Sequence, residues 1–387
     1  MTESPHPDRV PFSQACLSGR EFEYTAEAIK NRYTSASGPF SERAAELLGD
    51  AIGASDVLLT TSCTDALEMS AMLLDLSPSD TVLVPSFTFS STALAFVRQG
   101  ANIRFCDIEP TTLGIDPSHV TELLDDSVKA VVPVHYAGVG CDMAGLSEAL
   151  AHRPDVAIVE DNAHGLFGRY RDRPLGSFGR FSTLSFHETK NFTCGEGGAL
   201  IVNEPEDVER AHVIYDKGTN RRQFMLRQVD KYSWQDVGSS FGMSDLLAAF
   251  LLAQLEERET TLAARKAIID RYVENLSPHA ERLGFNLPVV PQDRTSAHHM
   301  FYVLLPDQKV RDSVLLKLGE QGIKAAFHYV PLHSSEAGRR FSDRNHECPV
   351  SDQISESLLR LPLYNNLAPG LVDRVSSSFL DAVTAAA

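Results

Sequence analysis

Two stretches decide the fold of this chain: Val156-Ala157-Ile158-Val159-Glu160-Asp161, and further on Phe181-Ser182-Thr183-Leu184-Ser185-Phe186-His187-Glu188-Thr189-Lys190. Each opens as a short apolar, β-branched run and ends on a residue able to ionise. The same grammar recurs upstream. Val57-Leu58-Leu59-Thr60 leads through Ser62-Cys63-Thr64 into the helical period Ala66 to Leu74, and Thr81-Val82-Leu83-Val84 leads through Pro85-Ser86 into Phe89 to Val97. Ile103 to Asp107 and Ala130 to Val134 add two more apolar runs. Strands apolar on both faces, alternating with helix-length segments, predict an α/β fold with a mostly parallel sheet covered on both sides. Ligands of such sheets bind beyond the carboxyl ends of the strands, so the residues just after each strand carry the functional question.

Beyond about Glu256 the texture changes. A charged helical stretch from Glu256 to about Leu276 gives way to Pro288 and Pro291, then to strands expected at His299–Leu305 and Ala325–Val330, a helix at Ser313–Glu320 and a last helix near Leu371–Val383. The expected division is a large domain over 1–255, with a short N-terminal arm, and a small α+β domain over 256–387. No repeat or low-complexity tract interrupts it.

Composition bounds the function. Lys plus Arg number 35 against 52 Asp plus Glu, a net charge of −17, which is a poor counter-ion for nucleic acid and favours small-molecule partners. The six cysteines are scattered without a C-x-x-C pair, arguing against a disulfide framework or zinc site, so no metal is expected. The polar N-terminal stretch and the lack of any long apolar run predict a cytoplasmic chain with no membrane partner.

Four features at strand ends then have to be weighed. Asp161 is either a turn acid capping a helix or a carboxylate at the floor of a pocket. Ser62-Cys63-Thr64 is either a simple N-cap or a phosphate seat, since free amides and the helix dipole favour an anion there. Phe89 is either core or a stacking platform. Lys190 comes 29 residues after Asp161 and precedes the glycine-rich Cys194-Gly195-Glu196-Gly197-Gly198. It is either a solvated charge or, if desolvated, a free amine able to attack an aldehyde. Their order along the chain favours the functional alternatives together.

The segments TSCTDALEM (61–69), VPSFTFSSTALAF (84–96), VVPVHYAGVGCDM (131–143), VEDNAHG (159–165), LSFHETKNFTCGEGG (184–198), DKGTNRRQF (216–224), YSWQDVGSSFGMSDLLAAFLLAQLE (232–256) and LPLYNNL (361–367) run almost end to end. In these the chain resembles the DegT/DnrJ/EryC1/StrS family of nucleotide-sugar aminotransferases, which depend on pyridoxal 5'-phosphate (PLP). The resemblance implies the fold-type I architecture, with a seven-stranded, mostly parallel sheet between helices and a smaller α+β C-terminal domain. Lys190 would bind PLP as a Schiff base and shuttle the proton. Asp161 would pair with the pyridine nitrogen, His164 would contact the ring or its phenolic oxygen, and Phe89 would stack on the ring. Cys63, Thr64, Asp65 and Ser185 would hold the phosphate, with Ser240 where many relatives place an asparagine that reaches the partner subunit's phosphate. The resemblance further implies a homodimer, L-glutamate as donor and pyridoxamine 5'-phosphate as the amine-carrying form.

Within the family, DKGTNR, VDKYSW and DVGSS are most similar to transaminases acting at C4 of dTDP-4-keto-6-deoxyglucose, leaving the product's C4 configuration, galacto or gluco, open. UDP-4-keto-pentose and 3-keto-sugar aminotransferases share much of the pattern, and a PLP-binding regulatory protein is the non-enzyme alternative. The basic stretch from Lys217 to Lys231, including Arg221, is either a solvated loop or a diphosphate contact across a dimer. His328 and His333 read first as satisfied core histidines.

Overall fold

The computed structural model describes residues 9–344 and 346–386, so the polar start of the chain, 1–8, lies outside the described residues. Seven strands form the main sheet: β1 (Asp56–Thr60), β2 (Thr81–Pro85), β3 (Asn102–Cys106), β4 (Val128–Val131), β5 (Ala157–Asp161), β6 (Phe181–Ser185) and β7 (Gly198–Val202). Their spatial order is β1-β7-β6-β5-β4-β2-β3. β7 runs antiparallel to both of its neighbours, and the other adjacent pairs are parallel. The doubly apolar strands expected from the sequence thus find cover on both faces. Leu58, Val82, Val84, Ile103, Val159, Phe181 and Leu200 pack with the helices Cys63–Leu73 and Ser91–Arg98. Val57, Leu59, Leu184, Ala199 and Ile201 pack with Pro39–Ile52 and Asp245–Glu256.

Register aligns the chemistry along one edge of the sheet. Asp161 lies opposite Thr183, while Gly198 lies opposite both Ser185 and Thr60. A side chain at Gly198 would come within 2.4 Å of the Cys63 amide nitrogen, so this glycine lets a strand pass directly under a helix start. The ends of β1, β5 and β6 therefore open into one space.

A second sheet, β8 (Phe301–Leu304), β9 (Ala326–Phe327) and β10 (Leu358–Leu361), has the order β8-β10-β9 and is antiparallel throughout. It packs against the helices Arg258–Leu283, Gln308–Glu320 and Pro369–Thr384 through Tyr272, Leu276, Val314, Leu318, Val372 and Phe379. Val10 is buried in the same cluster and its amide donates to the Gly322 carbonyl, tying the start of the described chain to this unit. The strand expected over Ala325–Val330 is shorter than its pattern suggests. His328 and Tyr329 leave the sheet with their rings stacked 4.1 Å apart, because His328 is held instead by Tyr136 and Arg360. The charged helix is longer than expected, running to Leu283 before Gly284 turns the chain at φ +70°.

Candidate active site

Asp161 ends β5 and is buried. Its Oδ2 accepts a 2.7 Å hydrogen bond from Thr92 Oγ1 and its Oδ1 accepts the Ala163 amide at 3.2 Å. Thr92 is itself fixed by Thr88, hydroxyl to hydroxyl at 2.9 Å. The carboxylate is thus oriented by a side chain 69 positions away, a pairing that no local pattern in the sequence reveals.

Lys190 lies in the turn between β6 and β7. The Cys194 amide donates to the Phe186 carbonyl, Glu188 N–H to Gly195, and Lys190 N–H to His187, so the loop folds back tightly and returns the chain antiparallel. The side chain is partly buried, and burial pulls its pKa down to about 8. Cys63 and Asp161 act in the opposite sense, and the Arg360 charge lowers the pKa further. Desolvation of the ammonium outweighs the attraction of the nearby carboxylate, which leaves an amine accessible near neutral pH.

At the helix Cys63–Leu73, Ser62 caps the N-terminus by accepting the Asp65 amide at 3.0 Å. In this protomer that amide is held by the Ser62 side chain. The Asp65 carboxylate also accepts Thr61 and Ser62 hydroxyls, folding an anion onto the helix start. What remains for a ligand are the amides of Cys63 and Thr64, which have no acceptor within their own helix, and the Thr64 hydroxyl, now 2.8 Å from Ser91 Oγ. Ser185 is the last residue of β6 and lines one pocket with Ala163, His164, Lys190, Asn191 and His299.

His164 is buried, and its Nδ1 has no partner within the protein. Burial, with the charges of Lys190 and Arg360, drives its pKa well below the ordinary value, so the ring is neutral. Its face is covered by His299, stacked at 4.3 Å and 17°. Sequence reading missed His299 and its supports. His299 Nδ1 donates to Asn191 Oδ1 at 3.0 Å, and Asn191 Nδ2 donates to the Ala297 carbonyl at 2.6 Å. The fully desolvated Arg265 guanidinium clamps the His298 and His299 carbonyls at 2.8 and 2.5 Å, across a turn where His298 has a φ of +56°. The residue next to Lys190 thus fastens the imidazole that backs His164.

Other expected residues are exposed on the protomer. Phe89 is 59% exposed, with its ring 6.4 Å from that of Tyr329. Ser240 is exposed and pairs as an isolated bridge with Asp216. Lys217 and Arg221 both face Asp216, at 2.7 and 3.5 Å, and Lys231 is exposed on the same segment; the protomer brings none of the three to Lys190.

The model of the DegT/DnrJ/EryC1/StrS aminotransferase family matches residues 15–380. The chain belongs to this family. It is therefore a PLP-dependent aminotransferase. Among proteins similar to this family member, the spore coat polysaccharide biosynthesis protein SpsC of Bacillus subtilis is 30% identical, covering 97% of this chain and 98% of its own. The aminotransferase TlmJ of Streptoalloteichus hindustanus superposes with a TM-score of 0.89 at 27% identity, over 97% of this chain and 99% of that one. DesV of S. venezuelae, solved in complex with a ketimine intermediate, superposes at 0.87 with 27% identity, covering 97% and 98% of the two chains. The site fits the cofactor of this family. It offers a desolvated amine, a buried carboxylate, two amides at a helix start without helical acceptors, and a neutral imidazole whose buried Nδ1 lacks a partner.

Proposed function

We propose that this aminotransferase moves an amino group from L-glutamate to C4 of dTDP-4-keto-6-deoxy-D-glucose, giving a dTDP-4-amino-4,6-dideoxyhexose. One observation carries the amine-transfer part of this reading: the depressed amine of Lys190, the Thr92-held Asp161 and the unpartnered His164 Nδ1 converge at the strand ends of one sheet. The sugar part is supported by the DKGTNR and DVGSS segments quoted above and by the names of similar proteins, SpsC among them.

In this proposal Asp161 would pair with the cofactor's pyridine nitrogen, and His164 would contact the ring or its phenolic oxygen. Thr64, the amides at Cys63 and Thr64, and Ser185 take the phosphate. Bound there, PLP supplies an electrophilic carbon for amines and an electron sink for the carbanion. Lys190 does the proton work: as the free amine it removes the proton from the donor's α-carbon, and as the ammonium it returns one to C4 of the sugar. With the division into domains 1–255 and 256–387 read from the sequence, both substrates would bind between the main sheet and the small one.

The reading includes a homodimer. Phe89 at 59%, Trp234 at 82%, Met225 at 68% and Tyr232 at 56% exposure are large apolar groups open on one protomer, and a second copy covering them would complete the site. Ser240 would then reach the phosphate of the neighbouring site, and Lys217, Arg221 and Lys231 the nucleotide's diphosphate. Among the described residues no helix is long and apolar enough to cross a membrane.

The test is direct. Purified protein is given L-glutamate, then dTDP-4-keto-6-deoxyglucose or UDP-4-keto-pentose separately, and the C4 configuration of any product is read by NMR. Amination of the dTDP sugar is expected; amination of the UDP pentose alone would refute the substrate assignment. Lys190→Ala should lose the absorbance of lysine-bound cofactor and at least about 1,000-fold in rate, the upper part of what positioned acid–base catalysis contributes. An undiminished band in that variant would refute the role of Lys190.

A further inference from the structure

A second cavity, of about 300 Å³, lies between the helix Met143–Ala149, strand β5 and the hairpin of Arg169–Tyr170 with Arg173–Pro174. It shares no lining residue with the pocket lined by Lys190. Met143 and Tyr170 in its wall are buried, and Ile158 and Phe178 are half-buried, while Arg171, Arg173 and Ser147 stand exposed at its mouth. Ile158 belongs to β5, which runs between β4 and β6 in the middle of the main sheet. A side chain there is ordinarily covered on either face of the sheet. Here it reaches open space, in a cavity at the lower end of the size range of small-molecule pockets and apolar as they are.

The mouth is cationic, and its charges are held by rings more than by acids. The Arg173 guanidinium carbon sits 4.2 Å over the Phe178 ring, and its Nη2 donates to the Ser177 carbonyl at 2.8 Å. No carboxylate among the described residues pairs with Arg173. The Arg171 guanidinium carbon lies 5.2 Å over the Tyr170 ring. Its one acidic partner among the described residues is Asp293, 3.8 Å from Nε and also engaged by Arg294. Asp172, between the two arginines in the turn, pairs with neither. The rings themselves are fixed: Tyr170 and Phe178 meet edge to face at 5.7 Å, and the Tyr170 hydroxyl donates to Asp142 Oδ1 at 2.9 Å. Arg171 also has a φ of +51°. A two-residue hairpin loop favours glycine or asparagine in that conformation, so the demands of the turn do not account for an arginine.

We propose that this cavity is a second ligand site, for a small aromatic anion. The flat body of the ligand would lie against Met143, Ile158 and Phe178, and its carboxylate or phosphate would meet Arg171 and Arg173. The anionic group follows from charge. On a chain of net charge −17, two adjacent guanidiniums with so little acid to answer them reverse the field locally. Their planar forks match the oxygens of a carboxylate or phosphate. The aromatic body follows from shape, because guanidiniums already stacked on rings present a flat, polarisable wall that a third ring can extend. The inference is independent of which sugar or amino donor the Lys190 pocket takes.

The experiment titrates the cofactor-loaded protein with para-fluorobenzoate, para-fluorophenyl phosphate and the neutral para-fluorobenzyl alcohol, and reads binding from the fluorine NMR line of each probe. At least one anion should bind about tenfold or more tightly than the alcohol, as charge-assisted hydrogen bonds to a guanidinium require. The tighter of the two anions names the headgroup. Replacing both arginines, Arg171→Gln with Arg173→Gln, should weaken that anion about tenfold or more and leave the alcohol within about twofold. Ser147→Trp, a change at an exposed lining position, should fill the mouth and remove binding of all three probes. Lys190→Ala should bind the anion within about twofold of wild type, because the two pockets have no residue in common. Both arginines are exposed, so their double variant should keep its cofactor band; should it fail to fold, Ser147→Trp decides. Binding of neither anion, equal affinity for anion and alcohol, or affinity unchanged by the cavity variants overturns the proposal. Loss of the anion in Lys190→Ala would assign the probe to the catalytic pocket and overturn it as well.

Discussion

The pH dependence of cofactor capture provides a sharp test of the electrostatics around Lys190. The perturbation is pH itself, applied to cofactor-stripped protein. An ordinary lysine with a pKa of 10.5 would have about one amine in three thousand unprotonated at pH 7, whereas at a pKa of about 8 the fraction is about one in ten. Burial should therefore raise the concentration of the attacking species about 300-fold. Because the pKa is lowered, the reactive form is lost only below pH 8. The capture rate should rise about tenfold per pH unit up to about pH 8 and then level off. The assay is stopped-flow absorbance on mixing with PLP between pH 6.5 and 10, a range chosen above the second ionisation of a phosphate monoester, near 6. Arg360→Met removes a charge that disfavours the ammonium and should move the midpoint up. A midpoint at or above pH 10 in the wild type, or one that falls in Arg360→Met, would refute the claim that desolvation sets the state of this amine.

Two further outcomes follow from the buried carboxylates beside the site. Thr92→Val keeps the shape of the side chain but removes the hydroxyl that donates to Asp161 at 2.7 Å; at about 1.5–3 kcal/mol for a hydrogen bond to an ionised group, PLP affinity should fall about 10- to 100-fold, read by cofactor titration. Equal affinity would show that Asp161 needs no such support. Glu160 is fully buried and accepts from the Gly176, Phe178 and Gly179 amides and from His135 Nε2, so Glu160→Gln turns an acceptor into a donor facing donors. A loss of about 3 kcal/mol is expected in urea denaturation, and a change below about 0.5 kcal/mol would contradict this account of the loop after β5.

Much of the sheet could be read from the chain because its strands are apolar on both faces, a pattern produced by two-sided burial. Asp161 and Lys190 could be read because each stands at a strand end, where the register of β5, β6 and β7 leaves a residue nowhere to go except towards a ligand. The supports of the site were illegible for a common reason. Thr92, Asn191, Arg265, His299 and Arg360 act on partners far away in sequence, and each belongs to a residue type with many ordinary uses. Arg265 reads as one more charge on an exposed helix, yet it is buried and bound to two carbonyls 33 and 34 positions on. The strand expected across His328 and Tyr329 failed because side-chain contacts with Tyr136 and Arg360 outweighed an alternating pattern two residues from a proline.

These distant supports also explain how a chain of net charge −17 can recognise anions at all. Surface acidity sets a field that repels them, and exposed cations such as Lys217 and Arg221 are largely answered by Asp216. Inside the pocket the balance reverses. Lys190, Arg265 and Arg360 are all desolvated, and Arg265 is stabilised by carbonyl dipoles instead of by a carboxylate. Asp161 is the buried carboxylate that Lys190 feels most directly, and it is committed to Thr92 and Ala163. The three imidazoles that share the space, His164, His299 and His328, are kept neutral by burial and by those same cations. Neutral rings add hydrogen-bonding capacity without adding charge that Lys190 would have to overcome. An additional carboxylate beside Arg360 would satisfy the guanidinium in the resting protein, but it would also favour the Lys190 ammonium and lose the amine. Leaving Arg360 without a carboxylate partner therefore helps to keep Lys190 in its amine form.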